Sequence, residues 1–231
     1  MNYVFTPGPI VSVPVVGTTA LFPVHRIYCV GRNFAEHAQE MGHSGREAPF
    51  FFMKPADAVL VVPSGSTTAL PYPSLTKNLH HEIELVVAIG TGGKNIEVAQ
   101  AQQHIFGYAV GLDMTRRDLQ NDMKTQGRPW CIGKGFDHSA PIGPITPKAT
   151  VGDMAHAALS LQVNGVQRQH GNIDQLIWNI SETIAQLSAA WALQPGDLIY
   201  TGTPAGVGAV VPGDTLRGTI SGLTPIELRV V

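Results

Sequence analysis

Two carboxylates lie two residues apart within a run of strand-forming residues, Glu82 and Glu84 in the segment LHHEIELVV. Side chains alternate between the two faces of a strand, so both glutamates point to one face, together with His80. Adjacent anions repel each other unless a positive charge lies between them, and a divalent cation that prefers oxygen ligands can supply it. The same spacing also suits an ordinary amphipathic strand, with a solvated outer face opposite Ile83 and Leu85.

A third carboxylate follows another apolar run, because Asp113 comes directly after residues 107–112 (GYAVGL). Three carboxylates held together away from water need a cation between them. Ligation by oxygen alone favours Mg²⁺, Mn²⁺ or Ca²⁺ over zinc. The sequence therefore predicts a site for Mg²⁺ (or Mn²⁺) at Glu82, Glu84 and Asp113. Taken alone, Asp113 equally fits the N-cap of a polar helix predicted over residues 115–125.

A possible general base lies in a short helix predicted over residues 34–41, which Asn33 would cap. His37 and Glu40 are three residues apart, so they share one helix face. A carboxylate bonded to one imidazole nitrogen makes the other nitrogen a better base for activating water. An ordinary exposed His/Glu pair has the same spacing.

Two glycine-rich segments can approach an anion closely. Lys134 lies between Gly133 and Gly135, and residues 201–208 (TGTPAGVG) offer a hydroxyl and backbone N–H groups at a strand end. Generic glycine-rich turns give similar strings.

The elements that must position these residues are mostly strands, which predicts a mainly β fold with a few helices (α+β). Residues 1–24 are expected to form short strands or an arm, and residues 25–231 a single domain. Helices are expected over residues 95–106 and from an N-cap at Ser181. The strands are expected over residues 26–30, 49–53, 107–112, 198–202, 215–220 and 226–231.

Composition excludes several classes of function. Charged residues make up only 14% of the chain and the net charge is −2, so no basic surface for nucleic acid is expected. So low a charge content favours a surface partly covered in a homo-oligomer. No apolar run reaches membrane-spanning length, and the N-terminus lacks a signal-like segment. The two cysteines form no motif, which favours reduced thiols in a cytoplasmic protein.

Six segments in this order resemble the fumarylacetoacetate hydrolase family, in its compact acylpyruvate hydrolase branch. The likeness covers roughly residues 25–231. The segments are residues 28–37 (YCVGRNFAEH), 52–55 (FMKP), 78–85 (NLHHEIEL), 111–120 (GLDMTRRDLQ), 133–137 (GKGFD) and 201–208 (TGTPAGVG).

This resemblance implies a mixed β-roll that pairs as a homodimer, and it gives each matching position a role. It implies metal ligation by Glu82, Glu84 and Asp113, water activation by His37 with Glu40, and a lysine near the metal at Lys134. It makes His80 a neighbour of the site and not a ligand. The implied substrate contacts are Thr203 and, with less support from the motifs, Arg32, Arg117 and Gln120.

The implied activity is metal-dependent hydrolysis of a carbon–carbon bond in an acylpyruvate. Fumarylpyruvate, cleaved to fumarate and pyruvate in the gentisate branch of aromatic catabolism, is the expected substrate. The alternatives are decarboxylation of oxaloacetate, decarboxylation or isomerisation of a dioxo-dicarboxylate, and a metal-stabilised protein that binds a dicarboxylate without turnover. A cupin-like barrel is a weaker structural alternative, because it would use several histidine ligands.

Overall fold

The computed structural model describes residues 2–34 and 46–231. Strands dominate this part of the chain. They are β1 Ser12–Pro14, β2 Leu21–Pro23, β3 Ile27–Gly31, β4 Phe50–Lys54, β5 Val59–Val61, β6 Thr67–Leu70, β7 Leu79–His81, β8 Ile83–Ile89, β9 Ile105–Leu112, β10 Thr115–Arg116, β11 Ala140–Ile142, β12 Thr146–Pro147, β13 Ala158–Val163, β14 Val166–Asn172, β15 Leu198–Tyr200, β16 Gly208–Val210, β17 Thr215–Ile220 and β18 Ile226–Val230.

The α-helices are few and short. They are α1 Arg117–Thr125, α2 Cys131–Lys134, α3 Lys148–Val151 and α4 Ile180–Ala190, with 3₁₀ turns at Ala56–Ala58, Ala101–His104 and Ile173–Gln175. The predicted mainly β fold with a few helices is confirmed. No helix among the described residues is long and apolar enough to cross a membrane.

The largest sheet has eight strands, in the order β4-β3-β15-β8-β9-β11-β5 with β12 paired to β9. It is mixed, since β15 lies parallel to β3 and antiparallel to β8. The central pair is β8 and β9, joined in register from Ile83↔Leu112 to Ile89↔Ile105. This pairing brings the end of β9, and with it Asp113, beside the start of β8.

Both faces of the central sheet are buried. Along β8, Ile83, Leu85 and Val87 belong to one apolar cluster, while Val86 and Ala88 belong to a second. The prediction that Ile83 and Leu85 point into a core is confirmed. The alternative of a solvated strand face is wrong, because the opposite face packs against other apolar side chains.

A second sheet has five strands in the order β14-β13-β17-β18-β6. Its hairpin β13–β14 turns at Asn164 and Gly165, whose φ angles of 52° and 76° suit the tight turns that connect two antiparallel strands. This hairpin is not among the elements predicted from the sequence.

Glu82 lies at a junction between sheets. β7 ends at His81 and pairs with β10 and β16 in a small third sheet, whereas β8 begins at Ile83 in the central sheet. One continuous segment therefore serves two sheets and places Glu82 where they meet.

Residues 2–24 contain the hairpin of β1 and β2, which pair with each other. Val13 and Phe22 face each other across this pair, and both are buried in the second apolar cluster. The segment thereby packs on the domain through its apolar face.

The prediction of a helix over residues 95–106 is wrong. Asn95 has a φ of 52°, and the N–H groups of Asn95 and Ile96 bond to the backbone oxygen and hydroxyl of Ser188. These tertiary bonds take the place of a helical pattern, and only the short 3₁₀ turn at Ala101–His104 forms.

Helix α4 begins earlier than expected, because its N-cap is Asn179 and not Ser181. The Asn179 side chain accepts from the Glu182 N–H, and the Glu182 carboxylate accepts from the Asn179 N–H. This reciprocal pair satisfies two N–H groups at the helix start.

Asn179→Ala is expected to lower the free energy of unfolding by about 1 kcal/mol and Tm by about 2–4 °C, because it removes the cap. Thermal unfolding measures the effect. The exposed Asn121→Ala within α1 is the matched control and should leave Tm unchanged or raise it slightly. An equal loss in both variants would contradict the capping role.

Candidate metal centre and active site

Glu82, Glu84 and Asp113 come together as predicted. Each offers a carboxylate oxygen within 4.8 Å of the other two, and all three residues are buried. The Asp113 N–H donates to the Glu82 backbone oxygen at 2.9 Å, which continues the β8–β9 ladder into the site. The sheet pairing itself therefore assembles the triad.

Two buried lysines lie against the triad. Lys134 Nζ lies 2.8 Å from Glu82 Oε2 and 2.7 Å from Asp113 Oδ2, and it also donates to the Thr115 hydroxyl at 2.7 Å. Lys54 Nζ lies 2.8 Å from Asp113 Oδ1. The family resemblance implies a lysine near the metal at Lys134, but it gives Lys54 no role. The sequence feature that could have indicated Lys54 is its position at the end of strand β4, after three phenylalanines and a methionine.

The carboxyl pKa values diverge within the triad. Burial opposes ionisation of Glu82, but Lys134 and Arg117 outweigh it and lower its pKa. Burial, with the charges of Asp113 and Glu82, raises the pKa of Glu84 well above its ordinary value. Burial alone would lower the pKa of Lys134, yet Asp113 and Glu82 raise it. In the metal-free protein, Glu84 therefore holds a proton more tightly than Glu82 does.

The donor set fits a hard divalent cation. All of its potential ligand atoms are carboxylate oxygens, the type that Mg²⁺ and Mn²⁺ prefer. Asp113 Oδ1 is buried and accepts no hydrogen bond from the described residues, since Lys54 is close but poorly aligned for one. A cation bound between the carboxylates would satisfy this oxygen and replace the proton on Glu84.

The four predicted substrate contacts lie around one cavity of about 30 Å³ beside the triad, which Lys134 and Trp130 also line. These contacts are Arg32, Arg117, Gln120 and Thr203. A cavity of this size holds an ion or a water molecule. An organic substrate therefore needs the side chains around it to move.

A larger cavity of about 360 Å³ adjoins the first and shares Phe52, Trp130 and Lys134 with it. Its walls are mainly apolar, and the ring of Phe50 meets Trp130 edge-on at 5.3 Å between centroids. Once the side chains around the small cavity move, the two cavities together can hold a small polar head group and a longer tail.

Arg117 is engaged with protein groups. It forms an ion pair with Glu82 and donates to Gln120 Oε1 and to His80 Nδ1. Burial, then the charge of Arg117, lowers the pKa of His80 to about 4. His80 is therefore neutral at pH 7, and it bonds Asn78 through its other ring nitrogen. His80 thus lies next to the site, bonded to Arg117 and Asn78.

The glycine-rich loop after β15 turns one of its N–H groups onto the triad. Gly202 donates to Glu84 Oε2 at 2.8 Å, with φ of 104°. A Cβ at this position would lie 2.8 Å from that of Asn33. Only glycine fits here, and this donor holds a protein carboxylate instead of an external anion.

Gln169 on β14 is a buried contact that sequence reasoning missed. It bonds to the backbone of Ile83, between the two glutamates, and to the hydroxyl of Thr203. No local pattern marks a single glutamine in a strand that is otherwise polar. His37 and Glu40, the predicted base and its partner, lie outside the described residues.

The comparisons with known proteins agree with this arrangement. Residues 26–231 match the family described as Fumarylacetoacetate (FAA) hydrolase C-terminal. The chain is 48% identical over 184 residues to a fumarylpyruvate hydrolase of Ralstonia sp., covering 80% of this chain and 93% of the relative. It is 39% identical over 198 residues to a mitochondrial oxaloacetate decarboxylase of Dictyostelium discoideum, covering 86% and 89%.

Among solved structures, fumarylpyruvate hydrolase from Pseudomonas aeruginosa in complex with Mn²⁺ and pyruvate superposes with a TM-score of 0.98. The two sequences are 58% identical, and the match covers 100% of this chain and 99% of that one. The mixed, mainly β fold and the buried triad of carboxylates together define the class of protein. The chain belongs to the fumarylacetoacetate hydrolase family.

Proposed function

We propose that this protein is a divalent-metal-dependent acylpyruvate hydrolase that cleaves fumarylpyruvate to fumarate and pyruvate. One observation carries the proposal: the triad of Glu82, Glu84 and Asp113 is buried against Lys134, in a fold shared with a fumarylpyruvate hydrolase that binds Mn²⁺ and pyruvate.

The three carboxylates would hold Mg²⁺ or Mn²⁺, with Lys134 beside them. When bound, the cation supplies a Lewis acid for the 1-carboxylate and 2-oxo group of the substrate and for the negative charge that develops there. Lys134 adds a second positive charge at the same point, fixed in place by its three hydrogen bonds. Thr203 would contact the substrate 1-carboxylate.

His37, oriented by Glu40, would take a proton from water as the water oxygen bonds to the distal carbonyl carbon C4. The C3–C4 bond then breaks, and its electron pair stays on the pyruvate side. Protonation at C3 gives pyruvate, while the former acyl group leaves as a carboxylic acid. Water thus supplies the hydroxyl group of one product and, in balance, the new hydrogen of the other.

Arg32 would bind the carboxylate at the far end of a fumaryl group. Among the described cationic residues that line the small cavity, Arg117 and Lys134 pair with carboxylates of the triad, whereas Arg32 contacts the ring of Phe50. Its Nε is buried without a hydrogen-bond partner among the described residues. Gln120 would contribute a further contact to substrate.

We also propose a cytoplasmic homodimer that serves the gentisate branch of aromatic catabolism. Both cysteines are free thiols, as in a reducing compartment. The N-terminal segment exposes Val4 at 100%, Phe5 at 79% and Ile10 at 75%, apolar side chains that a second copy can cover. Sedimentation equilibrium tests the dimer, and a monomeric mass at micromolar protein would contradict it.

Decarboxylation of oxaloacetate is the second candidate function. The relative named oxaloacetate decarboxylase is 39% identical to this chain, over most of both sequences. The triad would hold the cation that supplies the Lewis acid here too, and Lys134 would stabilise the charge left after loss of CO₂. That reaction needs no activated water, so it gives the His37 and Glu40 pair no task.

The deciding experiment supplies purified protein and Mg²⁺ or Mn²⁺ with fumarylpyruvate, acetylpyruvate and oxaloacetate in parallel. Loss of enol absorbance, formation of pyruvate and release of CO₂ are followed separately. Fumarate and pyruvate in equal amounts from fumarylpyruvate, with a lower kcat/KM for acetylpyruvate, are expected. CO₂ from oxaloacetate without cleavage of either acylpyruvate would overturn the proposal.

A further inference from the structure

The amide of Gln169 bridges the metal-binding strand and the loop that carries Thr203. Only 1% of Gln169 is exposed. Its Oε1 accepts from the Ile83 N–H at 3.1 Å and lies 2.9 Å from His81 Nδ1. Its Nε2 donates to Thr203 Oγ1 at 2.7 Å and to the Pro204 backbone oxygen at 2.9 Å. A glutamine side chain can form four hydrogen bonds, and all four are used here, one with each partner.

Two backbone groups fix which end of the amide is oxygen. The Ile83 N–H can only donate, so it must face Oε1, and the Pro204 oxygen can only accept, so it must face the NH₂ group. It follows that His81 Nδ1 carries a proton and donates to Oε1.

This orientation decides what the Thr203 hydroxyl can do. Because Thr203 Oγ1 accepts from Gln169, its own hydrogen is free to turn toward the cavity that it lines together with the triad. A hydroxyl held in this way is a donor for an anionic oxygen. Without the amide, the hydroxyl could instead donate to a neighbouring protein oxygen.

We propose that Gln169 is a positioning residue that orients the Thr203 hydroxyl as a hydrogen-bond donor to the 1-carboxylate of the substrate. The inference rests on the proposed function, in which Thr203 meets that carboxylate. The same amide bonds to Ile83, which lies between Glu82 and Glu84, so it also fixes the position of Thr203 relative to the metal ligands.

The test is a double-mutant cycle between Gln169→Glu and Thr203→Val, with the dissociation constant of pyruvate from the Mn²⁺-loaded protein as the readout. A carboxylate at 169 keeps the acceptor for Ile83 and His81. It leaves the Pro204 oxygen without its donor and makes the Thr203 hydroxyl donate toward residue 169. Each single variant is expected to raise Kd by about tenfold or more, as loss of a hydrogen bond to a charged group does.

In the double variant, Gln169→Glu should add less than about threefold to the effect of Thr203→Val, because the hydroxyl on which it acts is gone. Independent effects that multiply would overturn the proposal. Gln167→Glu places the same charge at an exposed position on the same strand, and it should leave Kd within about twofold of the wild type. Mn²⁺ affinity is measured for every variant and should not be weakened.

Gln169→Met, which removes both the amide donor and the amide acceptor and adds no charge, repeats the cycle if Gln169→Glu does not fold. Failure of both to fold would assign Gln169 a structural role and overturn the proposal. Pyruvate contains the 2-oxo acid common to the candidate substrates. The outcome is therefore read independently of whether fumarylpyruvate is the compound cleaved.

Discussion

Glu84→Gln is expected to abolish hydrolysis of fumarylpyruvate and to weaken Mn²⁺ binding by more than the roughly 10–100-fold that loss of an outer-shell partner costs. The substitution removes one of three charged ligands. It keeps the side-chain volume and an oxygen that can accept from the Gly202 N–H. Isothermal titration with Mn²⁺, together with the fumarylpyruvate assay, measures both effects.

The metal-free variant should be at least as stable as the wild type. The pKa of Glu84 is raised in the fold, so its carboxyl favours the folded state only while protonated, and this contribution is lost as pH rises from the unfolded to the folded pKa. A glutamine cannot ionise, so Glu84→Gln should gain stability relative to the metal-free wild type through that interval.

Thermal unfolding with and without Mn²⁺ separates these effects. At a hundred times Kd, the ion should stabilise the wild type by about 2.7 kcal/mol and the variant by far less at the same concentration. The exposed Glu97→Gln is the matched control and should respond to Mn²⁺ as the wild type does. If Mn²⁺ raised the Tm of Glu84→Gln as much as that of the wild type, Glu84 would not be a metal ligand.

The triad could be predicted from the sequence because strand periodicity is a local property. Glu82 and Glu84 share a face in any strand, and an apolar run ending at Asp113 places a carboxylate at a strand end. Antiparallel pairing of β8 with β9 then brings these ends together. What periodicity could not show is that both faces of β8 are covered, since this depends on the second apolar cluster.

The contacts around the triad were harder to predict, because they come from distant parts of the chain. Lys54 reaches Asp113 from the edge strand β4, and Gln169 reaches Ile83 from a different sheet. Lys54 lies in the family segment FMKP, but the motif gives it no role, and Gln169 has no neighbour that marks it as functional. The helix start shows the same limit on a smaller scale, since Asn179 and Ser181 both suit an N-cap and the fold selects the one whose partner is Glu182.

His37→Ala is expected to reduce hydrolysis of fumarylpyruvate by about 10²–10⁴-fold, the usual contribution of a positioned general base. His37 is not one of the predicted metal ligands, so the dissociation constants of Mn²⁺ and pyruvate should stay within about twofold of the wild type, as expected for loss of a transition-state interaction alone. Steady-state kinetics and isothermal titration of the same preparations measure the two sides of this prediction.

Glu40→Gln should also lower turnover, and the double variant should be no slower than His37→Ala alone, since the two side chains act as one unit. His43→Ala changes another histidine close to His37 in the sequence, one with no predicted role. This variant should retain the wild-type kcat.

Any decarboxylation of oxaloacetate should survive in His37→Ala, because that reaction consumes no activated water. Hydrolysis lost with decarboxylation retained would therefore show that the triad and Lys134 stabilise charge, while the pair of His37 and Glu40 makes the site a hydrolase. Unchanged hydrolysis in His37→Ala would remove the His/Glu pair from the mechanism and require the attacking water to be activated at the triad itself.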